Sequence, residues 1–105
     1  ILKRIDEINN DNLPVILTGD FNLEDNNPTI KNIQKYLTDV QFNIDKSNKY
    51  YGTFTGFKHS KIIEKRIDYI FVKNIKVNQS KHVHLKTPIN GWASDHHPVL
   101  TTLKF

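Results

Sequence analysis

The run Arg66-Ile67-Asp68-Tyr69-Ile70-Phe71-Val72 sets a carboxylate inside an otherwise β-prone segment. Alternation puts Ile67, Tyr69 and Phe71 on one face and Asp68, Ile70 and Val72 on the other. Both faces are largely apolar, which is the pattern of a central strand. A carboxylate buried there without a partner costs several kcal/mol, so the fold must bring Asp68 a counterpart. Two compete. Arg66, two residues away on the same face, would form a structural ion pair. A histidine from elsewhere would let Asp68 accept a ring proton, fix the tautomer and raise the basicity of the ring.

His96 is the natural partner. It lies in Ser94-Asp95-His96-His97-Pro98-Val99, just before a final apolar strand over residues 98–105. His97 alternates to the opposite side, so only one of the pair points into a site. His82 and His84 form an H-x-H pair on one strand face, a spacing used by some zinc sites. No third ligand accompanies them, and they are expected to face solvent. His59, in the basic loop from Lys58 to Lys65, signals nothing specific.

A second acidic site follows the run Pro14-Val15-Ile16-Leu17-Thr18, which reads as a short strand buried on both faces. Gly19-Asp20-Phe21-Asn22 closes it. Asp20 and Asn22 share one side of an extended segment at the strand's C-terminal end, where α/β sheets tend to bind ligands. A carboxylate there can hold a hard cation or orient a water, and a carboxamide can donate to a phosphate oxygen. An Asx-type turn that simply ends the strand is the plain alternative.

The remaining chain is ordinary for an α/β protein. Ile1, Leu2, Ile5 and Ile8 give an amphipathic helical pattern that the Asn9–Asn12 cluster stops. Asn26-Asn27-Pro28 reads as a helix start, with an asparagine cap and proline in the first turn, continued by Ile30, Ile33 and Leu37. An extended piece is expected at Val40-Gln41-Phe42, and a β-prone aromatic stretch at Tyr50–Phe57. Those aromatics suit the core or a site wall, with base stacking as the alternative. Odd positions from Ile75 to Leu85 give a half-buried hairpin strand.

The absence of cysteine excludes a disulfide framework and a thiolate zinc site. No apolar run is long enough to span a membrane as a helix, and nothing in the sequence assigns a compartment. Fifteen basic against eleven acidic residues give a net charge of +4, which favours an anionic partner. The chain opens at Ile1 inside an amphipathic pattern and has no methionine, so it is expected to be a piece of a longer domain.

Taken in order, Thr18-Gly19-Asp20-Phe21-Asn22, Arg66-Ile67-Asp68-Tyr69-Ile70-Phe71 and Ser94-Asp95-His96-His97-Pro98-Val99 resemble the endonuclease/exonuclease/phosphatase superfamily. Gly52-Thr53-Phe54 also fits. The resemblance implies a DNase-I-like, four-layered α/β sandwich with mixed, mostly antiparallel sheets. Residues 1–105 would form its C-terminal half, and the N-terminal half, or another chain, would cover an exposed sheet face. The family's first-half asparagine, glutamate and further histidine have no match here.

The resemblance also implies roles. Asp20 would orient the attacking water and contribute to the metal site together with Asp95. Asn22 would bind the scissile phosphate, with His96 also on it, and Asp68 would hold His96. The implied cofactor is Mg²⁺, with Mn²⁺ as the alternative. The implied activity is metal-dependent cleavage of phosphoester or phosphodiester bonds. Substrates could be nucleic acid, phospholipid or an inositol phosphate head group. The rival reading is a non-catalytic polyanion-binding module on the same scaffold, using Lys58, Lys61 and Lys65 on a phosphate backbone.

Overall fold

The computed structural model describes residues 1–58, 63–89 and 91–105. His59 and Lys61, considered above, lie outside the described residues. The elements run α1 (Leu2–Ile8), β1 (Val15–Asp20), α2 (Pro28–Gln34), β2 (Thr38–Asp39), β3 (Asp68–Lys73), β4 (Lys76–His82) and β5 (Val99–Lys104). Among the described residues two antiparallel sheets result, one ordered β1-β3-β2 and the other β4-β5. No described helix is long and apolar enough to cross a membrane.

β3 is the central strand, as its two apolar faces require. Tyr69 and Phe71 stack on each other and point into the main core with Ile30, Ile33 and Leu37. Phe21 meets both rings edge-on. Helix α2 begins as expected: Pro28 opens it, and the Asn27 side-chain oxygen accepts the Thr29 N–H at 2.9 Å. From α1, Leu2 and Ile5 reach the core, whereas Ile1 and Ile8 are exposed.

β1 departs from the expectation of burial on both faces. Val15 and Leu17 pack on the core, but Ile16 is 48% exposed. The physical reason is that the core packs on one side of β1 alone: Ile16, Thr18 and Asp20, on the other side, are all exposed among the described residues. The expected extended piece at Val40–Phe42 is displaced, since β2 covers Thr38–Asp39 and the chain turns after Val40. Tyr50–Phe57 forms no regular strand. Phe54 instead makes single antiparallel bridges to Lys65 and His96.

β4 does not fold back on β3. Its partner is β5, with a bulge between Val77 and Gln79. The bulge changes which residues face inward. Val77 points in before it, and Ser80 and His82 point in after it. His82 is therefore buried and His84 half-buried, against the expectation that both meet solvent. The Nδ1 of His82 donates to the Tyr50 carbonyl at 2.6 Å.

Candidate active site

Asp20 ends β1 and Asp68 begins β3, and the two are register partners across the antiparallel ladder. Their side chains therefore share one sheet face. Like charges directly opposite each other are unfavourable without something between them. His96 fills that role. Its Nδ1 donates to Asp68 Oδ2 at 2.8 Å, and its Nε2 lies 3.9 Å from Asp20 Oδ2. The Asp68 hydrogen bond holds the His96 pKa above the ordinary histidine value against a partial loss from burial, and Asp68, Asp95 and Asp20 add charge in the same direction.

Asp68 is free for this role because Arg66 is not its partner. The Arg66 guanidinium pairs instead with Asp39 of β2, both buried. Asp39 is held further by Gln34 Nε2 at 3.1 Å and by the Gln41 N–H at 3.0 Å. The ion-pair alternative for Asp68 is thus removed by a residue 27 positions earlier that the sequence did not mark.

Asn22 follows the strand in the left-handed region, at φ 54°. Asp20 Oδ1 accepts the Asn22 N–H at 2.8 Å, so the Asx turn is present. It leaves Asp20 Oδ2 toward His96, and the turn and the site share one carboxylate. Asn22 is exposed beside this carboxylate. Asp95 acts first through its backbone, where its carbonyl accepts the Thr55 N–H at 2.7 Å and the Gly56 N–H at 3.3 Å. Its carboxylate receives a long contact from Ser94 Oγ at 3.4 Å, and that same oxygen accepts the His96 N–H at 3.1 Å.

His97 leaves the site, as alternation predicts. It is 3% exposed, stacks on His84 at 3.9 Å between ring centres and meets Trp92 edge-on. Burial, with His84 and His82 nearby, pushes its pKa down to about 4, so the ring is neutral. The basic-loop residue Lys58 is exposed and passes its carbonyl to Trp92 Nε1 at 2.9 Å.

Two further residues touch the site and carry no chemistry of their own, and residue type alone does not mark them. The Thr53 hydroxyl oxygen accepts the Ile67 and Asp68 N–H groups, and the Phe54 ring meets His96 edge-on at 5.2 Å. The sequence signal was their place in Gly52-Thr53-Phe54.

Among the described residues, one group of histidines and carboxylates could hold a metal ion: Asp20, Asp68 and His96, with ligand atoms all within 4.8 Å of one another. Two facing carboxylates fit a divalent cation that prefers oxygen ligands. His96 Nδ1 is committed to Asp68, which leaves Asp20 as the carboxylate most open to an ion.

Comparison with solved structures identifies the same architecture in three bacterial proteins. A mannosyl-6-phosphatase from Bacteroides thetaiotaomicron VPI-5482 is 29% identical, with a TM-score of 0.81 over 99% of this chain and 43% of its own. An endonuclease/exonuclease/phosphatase family protein from Bacteroides thetaiotaomicron is 28% identical, with a TM-score of 0.79 over 97% and 42%. A conserved protein of unknown function from Enterococcus faecalis V583 is 26% identical, with a TM-score of 0.79 over 98% and 40%. The chain thus spans about two fifths of each of these proteins. No curated protein matches significantly. The fold is the α/β, antiparallel-sheet architecture of DNase-I-like proteins. The family profile matches residues 1–96, and with the paired Asp68 and His96 in place the chain belongs to the Endonuclease/Exonuclease/phosphatase family.

Proposed function

We propose that the protein is a Mg²⁺-dependent hydrolase of phosphate esters, with residues 1–105 supplying the C-terminal part of its single catalytic domain. The observation that carries this reading is the His96–Asp68 hydrogen bond at 2.8 Å, set on the same face as Asp20. A histidine with its Nδ1 proton on a carboxylate is fixed in orientation and keeps Nε2 for substrate. The Asp68 hydrogen bond raises the His96 pKa and so makes the ring a better base, suited to work beside an anionic phosphoryl group.

In this reading the phosphate sits beside Nε2 of His96, and the Asn22 carboxamide donates to a phosphoryl oxygen. Asp20 orients the attacking water. Asp20 and Asp95 would hold the divalent ion, which would neutralise charge on the phosphate. Mn²⁺ is the substitute of choice for the same oxygen ligands. Asp68 moves no proton; it keeps the His96 ring turned toward the substrate.

The likeness to a mannosyl-6-phosphatase favours a phosphomonoesterase within the wider class of nucleic acid, phospholipid and inositol phosphate substrates. The rest of the domain, which these 105 residues do not include, would complete the metal site and cover the open face of β1. The test is a steady-state assay of the intact protein on an aryl phosphomonoester and an aryl phosphodiester, with Mg²⁺ and then with EDTA. Turnover lost in chelator and restored by Mg²⁺ supports the proposal. Full activity in EDTA removes it. Absence of turnover with salt-sensitive polyanion binding supports the rival binding module.

A further inference from the structure

We propose that Thr53 is the positioning residue that fixes the spacing between Asp68 and His96. The two side chains come from segments far apart in sequence: Asp68 begins β3, and His96 lies in the loop ahead of β5. Something must hold the two segments in register, and Thr53 contacts both. Its hydroxyl oxygen accepts the Ile67 N–H at 3.0 Å and the Asp68 N–H at 3.2 Å. Its carbonyl accepts the His97 N–H at 2.6 Å, one residue beyond His96. Its own N–H donates to the Lys65 carbonyl at 2.8 Å.

The side chain has 0% exposure, so no water can replace the hydroxyl at these amides. Thr53 is also β-branched, and its χ1 is stiff. Phe54, the next residue, continues the tie by bridging Lys65 on one side and His96 on the other. Residues 53–54 therefore form a short cross-piece between the carboxylate strand and the histidine loop. A serine could make the same hydrogen bonds. A valine has the same shape and none of the acceptor capacity, and it would take the acceptor from the buried Ile67 N–H and the part-buried Asp68 N–H.

The kinetic consequence rests on the hydrolase reading above; the structural one does not. In the intact protein, Thr53→Val should lower kcat by roughly 10- to 10²-fold with KM within about 2-fold, because it disturbs orientation rather than affinity. Thr53→Ser should restore most of the rate. Independently of activity, the Nδ1 proton that His96 shares with Asp68 should give a downfield proton resonance in histidine-labelled protein. Thr53→Val should weaken or shift it, and Thr53→Ser should preserve it. A folded Thr53→Val protein with unchanged kcat and an unchanged resonance overturns the proposal. A wild type with no esterase activity would defeat the hydrolase reading, and the resonance would still decide the clamp. Amide exchange in the wild type decides it without any variant: Ile67, Asp68 and His97 should all be protected, and fast exchange at any of them overturns the clamp.

Discussion

Asp20 and Asp68 oppose each other directly across the β1–β3 ladder, and His96 lies against both carboxylates. Two acids brought face to face by a strand register would weaken that register if left alone. The imidazole makes the pairing tolerable, and the pairing in turn orients the imidazole. The site and the local strand register thus depend on the same three side chains.

His96→Ala in the intact protein should reduce kcat by about 10²- to 10⁴-fold, with a smaller change in KM. Asn22→Ala should follow it if the carboxamide grips the phosphoryl group. Comparable, mild effects of both, measured by steady-state kinetics with Mg²⁺, would contradict the proposed roles.

His97 predicts an acid-sensitive fold. Its folded-state pKa of about 4 lies below the unfolded value near 6.5. Between those two values the unfolded chain binds more protons, so stability falls as pH drops from about 6.5 toward 4. The loss from this one ring is on the order of 3 kcal/mol by pH 4. Urea titrations at stepped pH should show it, and His97→Gln should flatten the dependence while lowering stability at neutral pH.

His96 carries the opposite sign. Its raised pKa stabilises the fold fully below the ordinary histidine value, and that contribution fades as pH rises through the raised one. Asp68→Asn should bring the His96 titration, followed by NMR, back down toward the ordinary range. An unchanged titration would show that the hydrogen bond does not set it.

The Arg66–Asp39 pair is buried, and breaking it from one side leaves an unpaired interior charge. Asp39→Ala should cost about 3–5 kcal/mol of stability by chemical denaturation. Replacing both partners with apolar residues of similar size should cost less than the single change.

Gly52→Ala should destabilise the chain by about 1–3 kcal/mol. A Cβ there would lie 2.3 Å from the Ile63 carbonyl oxygen and 2.5 Å from its carbon, and both are backbone atoms. Because Gly52 precedes Thr53, the displaced backbone should also lower kcat. A variant with wild-type stability would show that the neighbouring segment can yield.

The legible parts of this fold were those fixed by local pattern or by an unavoidable cost. The alternation of Ile67–Val72 announced β3, and Asn27-Pro28 announced the start of α2. Asp68 demanded a partner, and His96 was the histidine best placed to be one. Arg66 was misleading because its true partner, Asp39, sits in a two-residue strand with almost no periodic signal. Tyr50–Phe57 has strand-forming residues, yet it spans between two segments and joins neither sheet. His82 and His84 were misjudged because alternation assumes an unbroken ladder, and β4 has a bulge.

That bulge makes β4 a strand with two phases. Val77 opposes Leu103, Gln79 opposes Thr102, and Asn78 is the extra residue between them. From there to His82, inward and outward positions are exchanged relative to the first part of the strand. Deleting Asn78 would remove the bulge and leave His82 inward, opposite Val99. One residue inserted after Gln79, with the earlier register held, would instead act as a frame error in three dimensions: the chemistry of every downstream residue would be unaltered, but Lys81 would turn toward the interior and His82 toward water. The burial of a histidine one strand away from the His96 loop is thus encoded by a count of residues rather than by their identity.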